Sequence, residues 1–215
     1  TKYEVRDLLL AAADFLSSQE IQALVVACNT ATASAITDLR NRYAFPVIGM
    51  EPAVKPALAH NTGKKILVAA TSLTLRESKL DSLIAKLDGE CRVERLALDK
   101  LVTFAESFDF DSPEVRRYLR EKFARIDWSR YESLVLGCTH FLYYRPLLKM
   151  LAGDDVRLLD GNAGTVNRLV SVTGAARPPL ASAPARPRVR FYTTGGADEP
   201  PERAERLLAL LRPPA

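Results

Sequence analysis

The stretch Ala23-Leu24-Val25-Val26-Ala27-Cys28-Asn29-Thr30 joins an apolar run to a polar turn, and Ser133-Leu134-Val135-Leu136-Gly137-Cys138-Thr139-His140 repeats this pattern far along the chain. In both stretches the apolar run is typical of a buried strand, and the polar turn leads into a helix. Each cysteine occupies the same position of the same local motif. We interpret the two stretches as strand-to-helix turns that each present one thiol.

Strand-like runs alternate with amphipathic helical segments along most of the sequence. Strands are predicted at Ala23 to Ala27, Phe45 to Ile48, Lys65 to Ala70, Arg92 to Ala97, Leu134 to Gly137, Val156 to Leu159 and Val189 to Tyr192. Helices are predicted at Glu4 to Gln19, Thr30 to Arg42, Leu73 to Leu87, Pro113 to Ile126, Tyr143 to Leu151 and Glu202 to Leu211. Parallel strands need long connections, which helices supply. The predicted fold class is therefore α/β with parallel sheets.

Composition excludes several classes of function. The 215 residues are 47% hydrophobic and 26% charged, and no apolar run approaches the about 18 residues that a membrane helix requires. The formal net charge of +4 is spread along the chain, except in the basic stretch Arg177 to Arg190, which is also rich in proline and alanine. We interpret that stretch as a surface connection. We expect neither a membrane nor a nucleic acid as partner.

Cysteine and histidine content bears on the compartment and on metals. Three cysteines without disulfide-framework spacing favour a reducing compartment, so we expect a cytoplasmic protein. Cys91 has no polar companions of the kind that follow the other two, and we predict that it is structural. Neither CxxC nor HExxH spacing occurs, and the chain has two histidines, so we expect no metal site.

Cys28 and Cys138 lie where an open α/β sheet binds its ligands, at the boundary between a strand and the next helix. The helix dipole at that position should lower the pKa of each thiol. Either cysteine alone is also typical of a small buried residue, but the repeated motif favours paired catalysis. His140 follows as a proton-transfer partner or as a donor to a bound carboxylate; a turn histidine bonded to backbone is the alternative.

These motifs resemble a known family. Val25 to Thr32 and Leu134 to Phe141 resemble the two signature segments of the glutamate racemases, within the aspartate/glutamate racemase superfamily. Pro46 to Ala53 is similar to the family's connection between its domains, and Arg190 to Gly196 is similar to a segment near its C-terminus. The resemblance extends over nearly the whole chain.

The resemblance implies two similar parallel-sheet α/β domains that face each other across a cleft. Residues 1–51 and 160–215 would form the first, discontinuous domain, and residues 52–159 the second. It also implies that the protein interconverts L-glutamate and D-glutamate without a cofactor and so supplies D-glutamate for peptidoglycan. A homodimer is a further expectation from the family.

The resemblance also assigns roles to residues. Cys28 and Cys138 would be the two catalytic bases, a thiolate on one face of the substrate and a thiol on the other, with His140 beside them. The substrate-binding residues carried over by motif are Asn29, Thr30, Thr71, Thr74 and Thr139. For Thr71 and Thr74, ordinary helix capping is the alternative role.

Glu106 resembles an acidic family position near the second cysteine. We predict that it contacts the catalytic residues and not the substrate. A solvated helix carboxylate is the alternative. The sequence before Glu106 departs from the family, because Leu98-Asp99 stands where the family usually has Cys-Pro.

A second departure concerns the family's first segment. Glutamate racemases begin with a strand that leads into an Asp-Ser-Gly-x-Gly-Gly loop, followed by a Pro-Tyr-Gly turn, and this sequence, which starts at Thr1, contains neither. We expect the chain to begin inside a longer polypeptide, and we expect these residues alone to be unstable or inactive, because neighbouring strand edges would be exposed.

Three alternatives stay open at this point. One is a non-catalytic binding or regulatory protein on the same scaffold. Another is an aspartate-type racemase, although His140 favours glutamate because the aspartate enzymes resemble Cys-Thr-Glu here. The third is an acyl-transfer enzyme with Cys138 as nucleophile and His140 as base, which leaves Cys28 without a role.

Overall fold

The computed structural model describes residues 1–60, 62–88, 92–174, 189–194 and 201–211. The chain divides into two compact units, Thr1–Thr173 and Gly174–Ala215. Cys91, which we predicted to be structural, lies outside the described residues, as do Gly195 and Gly196 of the C-terminal motif.

The first unit contains two parallel sheets. Its strands are β1 (Leu24–Val26), β2 (Val47–Gly49), β3 (Lys65–Ala70), β4 (Val93–Ala97), β5 (Tyr131–Leu136) and β6 (Arg157–Asp160). Strands β1 and β2 pair with each other, and the remaining strands form a sheet in the order β4-β3-β5-β6. Every pairing in the two sheets is parallel. The predicted α/β class with parallel sheets is confirmed.

Helices follow the strands. In the first unit they are α1 (Lys2–Ser17), α2 (Asn29–Arg42), α3 (Val54–Ala59), α4 (Ser72–Leu75), α5 (Ser78–Leu87), α6 (Lys100–Glu106), α7 (Pro113–Phe123), α8 (Arg145–Ala152) and α9 (Asn162–Thr173), with 3-10 helices at Trp128–Arg130 and Thr139–Tyr144. The second unit contains α10 (Pro201–Leu210). Among the described residues, no helix has the length and apolar character needed to cross a membrane.

The four-stranded sheet is covered on both faces. Leu67, Leu134 and Leu136 belong to a core shared with α6, α7 and α8, whereas Ile66 and Val68 belong to a core shared with α3 and α5. Because both faces are buried, residues 66–70 of β3 and residues 134–136 of β5 are apolar at every position instead of alternating. The two-stranded sheet packs against α1 and α2 in a third core.

Two predicted elements differ from the structure in more than their end residues. Val189 to Tyr192, predicted as a strand, has no regular secondary structure. Val189 and Tyr192 are about half exposed, so the apolar run lacks the buried packing that makes a strand stable. The predicted helix Leu73 to Leu87 is two helices, because Glu77 has an extended backbone (φ −74°, ψ 129°) between α4 and α5.

Candidate active site

The residues that we expected to act together follow the carboxyl ends of different strands. Cys28 comes after β1, Thr71 after β3 and Cys138 after β5. Because β3 and β5 are parallel neighbours, Thr71 and Cys138 lie at the same edge of the four-stranded sheet. That edge is where parallel α/β sheets bind ligands.

Cys28 begins helix α2. Its backbone is extended (φ −139°, ψ 124°), and its Sγ accepts a hydrogen bond from the Ala31 N–H at 3.5 Å. Thr32 fixes the helix start, since its hydroxyl donates to the Val26 carbonyl at 3.2 Å and accepts from the Met50 N–H at 3.0 Å. Cys28 is nevertheless exposed. The thiol is therefore held by a rigid helix end and remains accessible.

Gly137 places Cys138 close to strand β3. A Cβ atom on Gly137 would lie 3.0 Å from the Ala70 Cβ and 3.1 Å from the Ala69 carbonyl oxygen, to which the Gly137 N–H donates at 2.7 Å. After Cys138, the fully buried Phe141 and Tyr144 anchor the 3-10 helix. The end of β5 is thus tightly packed, and the thiol is fixed by its surroundings.

Cys138 differs from our expectation for a thiol at a helix start. Burial raises the pKa of Cys138 to about 11, and the backbone N–H groups of His140 and Phe141 lower it in part. The expected depression of the Cys138 pKa is therefore wrong: the helix that follows is a single short 3-10 segment, and the loss of water outweighs its N–H groups. At neutral pH, Cys138 is a protonated thiol.

Charge links the two thiols. Burial is the main cause of the raised pKa of Cys138, and the charge of Cys28 also raises it. Cys28 follows β1 of the two-stranded sheet, whereas Cys138 follows β5 of the four-stranded sheet.

His140 lies between Cys138 and Glu106. Its Nδ1 is 3.8 Å from the Cys138 Sγ, and its Nε2 is 2.7 Å from Glu106 Oε1. Glu106 ends helix α6, and its side chain is about half exposed. A carboxylate at one ring nitrogen fixes the orientation of the imidazole and favours a proton on that nitrogen. Thr139, half-buried, begins the same 3-10 helix.

Three threonine hydroxyls meet between the two sheets. The Thr30 Oγ1 is 2.7 Å from the Thr74 Oγ1 and 3.3 Å from the Thr71 Oγ1. The Thr71 hydroxyl also accepts a hydrogen bond from the Thr74 N–H at 3.2 Å. Thr71 therefore caps α4, which is the alternative role considered for it. Capping and membership of the cluster therefore coexist, and the cluster connects α2 to the turn after β3.

Asn29 is buried beside these hydroxyls, with 5% of its surface exposed. Within the described residues, its Oδ1 atom has no hydrogen-bond partner. A buried acceptor without a donor costs on the order of 1–3 kcal/mol. Asn29 also lines a cleft with Thr74 and Lys79, so its buried amide lies beside space that a ligand could occupy.

Some residues of the site were not predicted. Ser72 and Asp99 bond to each other at the carboxyl edge of the four-stranded sheet, with 2.8 Å from the Ser72 N–H to Asp99 Oδ1. The departure from the family pattern at Leu98-Asp99 was the signal that could have drawn attention to Asp99. Lys79 lines the cleft, and burial, followed by the charge of Arg40, lowers the pKa of Lys79. The sequence carried no signal for Lys79.

A family model for Asp/Glu/Hydantoin racemases matches residues 2–169 of the chain. The chain belongs to this racemase family. Membership agrees with the resemblance on which the expected site residues rest, and it places both cysteines within the matched segment.

Named relatives in the racemase family are similar over most of this chain. A glutamate racemase from Halothermothrix orenii is 42% identical over 98% of this chain and 82% of its own length. Glutamate racemase 2 from Bacillus subtilis is 45% identical over 80% of this chain and 66% of its own length. The chain thus spans about two thirds to four fifths of these relatives.

A solved racemase structure has a similar fold. The crystal structure of Escherichia coli glutamate racemase in complex with L-glutamate and activator UDP-MurNAc-Ala aligns with a TM-score of 0.72 and 28% identity, over 83% of this chain and 68% of that one. The fold expected from the resemblance is confirmed at this level.

Proposed function

We propose that the protein interconverts L-glutamate and D-glutamate by two-base catalysis, with Cys28 and Cys138 as the bases. The observation that carries the proposal is that two cysteines follow strands of two different sheets, with Cys28 exposed at the start of α2 and Cys138 held as a thiol by burial. Inversion at the α-carbon requires a base on one face and an acid on the other; the Cys138 thiol suits the acid, and the accessible Cys28 suits the base. The glutamate racemases among the relatives give the substrate.

The proposed reaction has two proton transfers. The Cys28 thiolate takes the α-proton, which leaves a carbanion at the α-carbon and a thiol at Cys28. The Cys138 thiol then donates its proton to the opposite face and becomes a thiolate. No oxidant, reductant or cofactor enters the balance, and the reverse reaction exchanges the roles of the two sulfurs.

Polar side chains near the thiols would bind the ammonium and carboxylate groups at the α-carbon of the substrate. The unpartnered Oδ1 of Asn29 suits the ammonium group, and the hydroxyls of Thr30, Thr71 and Thr74 suit a carboxylate or the ammonium group. Thr139 would contribute a further hydroxyl. His140, oriented by Glu106, would stabilise charge beside Cys138 or pass protons to it. The positive end of the α2 helix dipole would favour an anionic carboxylate near Cys28.

The whole protein would act as this family does. We propose two domains, formed by residues 1–51 with 160–215 and by residues 52–159, with the thiols in the cleft between them. We also propose a cytoplasmic homodimer that supplies D-glutamate for peptidoglycan. These proposals rest on family membership.

Acyl transfer by Cys138 and His140 remains a second candidate, because their side chains are 3.8 Å apart. The raised pKa of Cys138 argues against it, since a nucleophilic cysteine needs a stable thiolate. Acyl transfer also gives Cys28 no role. These two points therefore favour paired proton transfer.

The test is racemisation by the full-length protein and its cysteine variants. Each enantiomer of glutamate and of aspartate is incubated without pyridoxal phosphate, and the opposite enantiomer is measured by chiral chromatography. Cys28→Ser and Cys138→Ser should each reduce kcat by about 10²–10⁴-fold. An acyl-transfer enzyme would tolerate Cys28→Ser and accumulate a thioester, an aspartate-type racemase would invert aspartate alone, and a binding protein would invert neither substrate.

A further inference from the structure

Asp99 lies at the carboxyl end of β4 and binds the turn that carries two of the site threonines. Its Oδ1 accepts from the Ser72 N–H at 2.8 Å, and its Oδ2 accepts from the Ser72 hydroxyl at 2.6 Å. Ser72 lies between Thr71 and Thr74, in the first position of α4. Both oxygens of one carboxylate are thus used on one residue of the site.

Helix α4 needs such a support. It has four residues, so its internal hydrogen bonds alone give little fixed structure. The Thr71 hydroxyl caps it, and the same hydroxyl approaches Thr30 across the cleft. The two bonds from Ser72 to Asp99 connect this short turn to the neighbouring strand of the sheet, which is rigid.

We propose that Asp99 is a positioning residue, which acts through Ser72 to hold the hydroxyls of Thr71 and Thr74 in place against Thr30. The proposal deepens the glutamate racemase function proposed above and rests on it. Nothing in the motif resemblance assigns a role to Asp99.

The charge of Asp99 also reaches Cys138. Burial opposes ionisation of Asp99, but the bonds from Ser72 and the charge of Lys122 lower its pKa, so the group is a carboxylate at neutral pH. That negative charge raises the pKa of Cys138, after burial and the charge of Cys28. Among the described residues, His140 also faces the thiol, with its Nδ1 at 3.8 Å from the Cys138 Sγ, and Glu106 lies behind it. Asp99 therefore favours the protonated form of Cys138.

Three variants separate the two effects in the full-length protein. Asp99→Ala removes the bonds and the charge, Asp99→Asn removes the charge but keeps an oxygen for the Ser72 N–H, and Ser72→Ala removes one bond but keeps the charge. Asp154→Asn, at an exposed position away from the site, is the matched control.

Steady-state kinetics with glutamate is the first readout. We expect Asp99→Ala to raise KM about five- to tenfold, and Ser72→Ala and Asp99→Asn to raise it about two- to threefold, as the number of lost hydrogen bonds predicts. Asp154→Asn should leave KM unchanged.

Two further readouts do not depend on activity. Hydrogen exchange should become faster at the amides of Ser72 to Leu75 in Asp99→Ala. Alkylation of Cys138 by iodoacetamide, followed by peptide mapping, should shift to lower pH in both Asp99 variants, with rates about two- to fivefold higher at about pH 8, because a nearby negative charge is gone. Ser72→Ala should not shift the Cys138 profile.

The outcomes separate this proposal from the racemase function. If the unaltered protein does not act on glutamate, the racemase function fails, and exchange and alkylation still decide whether Asp99 holds the turn. If Asp99→Ala matches Asp154→Asn in amide exchange and in the Cys138 profile, the positioning role is overturned. If Asp99→Ala does not fold, amide exchange in Asp99→Asn and Ser72→Ala decides whether Asp99 holds the turn.

Discussion

At the residue scale, the two thiols of the site are chemically unequal. Cys28 is exposed at the start of a helix, whereas Cys138 is partly buried and has a pKa that burial raises. The sequence predicted both positions, because a strand-to-helix turn is a local pattern. It could not predict the protonation state of Cys138, since that residue packs against a core whose members come from β3, β5, α6, α7 and α8.

The first prediction concerns alkylation of these thiols. At about pH 8, iodoacetamide should modify Cys28 at least about tenfold faster than Cys138, because the thiolate is the reactive form. The Cys138 rate should keep rising with pH towards its pKa of about 11. Peptide mapping by mass spectrometry measures both rates. In urea the two rates should become similar; similar rates in the folded protein would contradict the assigned thiol state.

The second prediction concerns the threonine cluster. Thr30→Val keeps the shape of the side chain but removes the hydroxyl that meets Thr71 and Thr74. We expect KM for glutamate to rise about five- to tenfold, with a smaller effect on kcat, because a binding group is lost. Thr37→Val, at an exposed position of the same helix, is the matched control and should leave KM unchanged. Equal KM values for the two variants would contradict a binding role.

At the element scale, apolar runs predicted most strands of the first unit. Buried polar residues hid the start of β5 from this kind of prediction. Strand β3 begins and ends where the sequence predicted. Strand β5 starts at Tyr131 rather than Leu134, because Glu132 and Ser133 are polar yet buried. The Glu132 carboxylate accepts from the Thr62 N–H at 3.2 Å, and such long-range compensation has no local signature. Helices α3, α6 and α9 were not predicted, since α3 and α6 are short and α9 buries little of its surface.

The third prediction concerns the packing of β5 against β3. Gly137→Ala should move the end of β5, because the new Cβ would lie too near the Ala70 Cβ and the Ala69 carbonyl. We expect Cys138 to be displaced and kcat to fall about tenfold or more, as misplacement of a catalytic group implies. Gly164→Ala, in α9 where a Cβ meets open space, is the control and should stabilise the helix by about 0.5–1 kcal/mol. If kcat of Gly137→Ala equals that of Gly164→Ala, the packing constraint is wrong.

At the scale of the whole molecule, the site exists because two sheets are held together. Besides the threonine cluster, Lys2 of α1 bonds to the buried Glu77 carboxylate before α5, at 2.6 Å. Two sheets could be inferred from the alternation of strands and helices, but their mutual arrangement could not. That arrangement came from the family resemblance, since contacts such as Lys2 with Glu77 join distant parts of the chain.

The fourth prediction concerns this ion pair. Lys2→Met should lower the free energy of unfolding by about 1 kcal/mol, because the buried Glu77 loses its partner while Lys2 itself is partly exposed and screened. Urea unfolding followed by circular dichroism measures the change. Lys55→Met, at an exposed position of α3, is the control. A loss no larger than that of the control would show that the pair does not stabilise the contact between the sheets.

In the proposed mechanism two different sulfurs handle the α-proton, and the isotope content of product and recovered substrate reports this. L-glutamate is incubated with the full-length protein in D₂O, and deuterium is measured at an early stage in the D-glutamate formed and in the L-glutamate recovered. Because the sulfur that donates is not the one that removed the α-proton, and exchanges its own proton with solvent beforehand, we predict about one deuterium per D-glutamate and almost none in the recovered L-glutamate. D-glutamate that retains the original proton, or no D-glutamate at all, would contradict it.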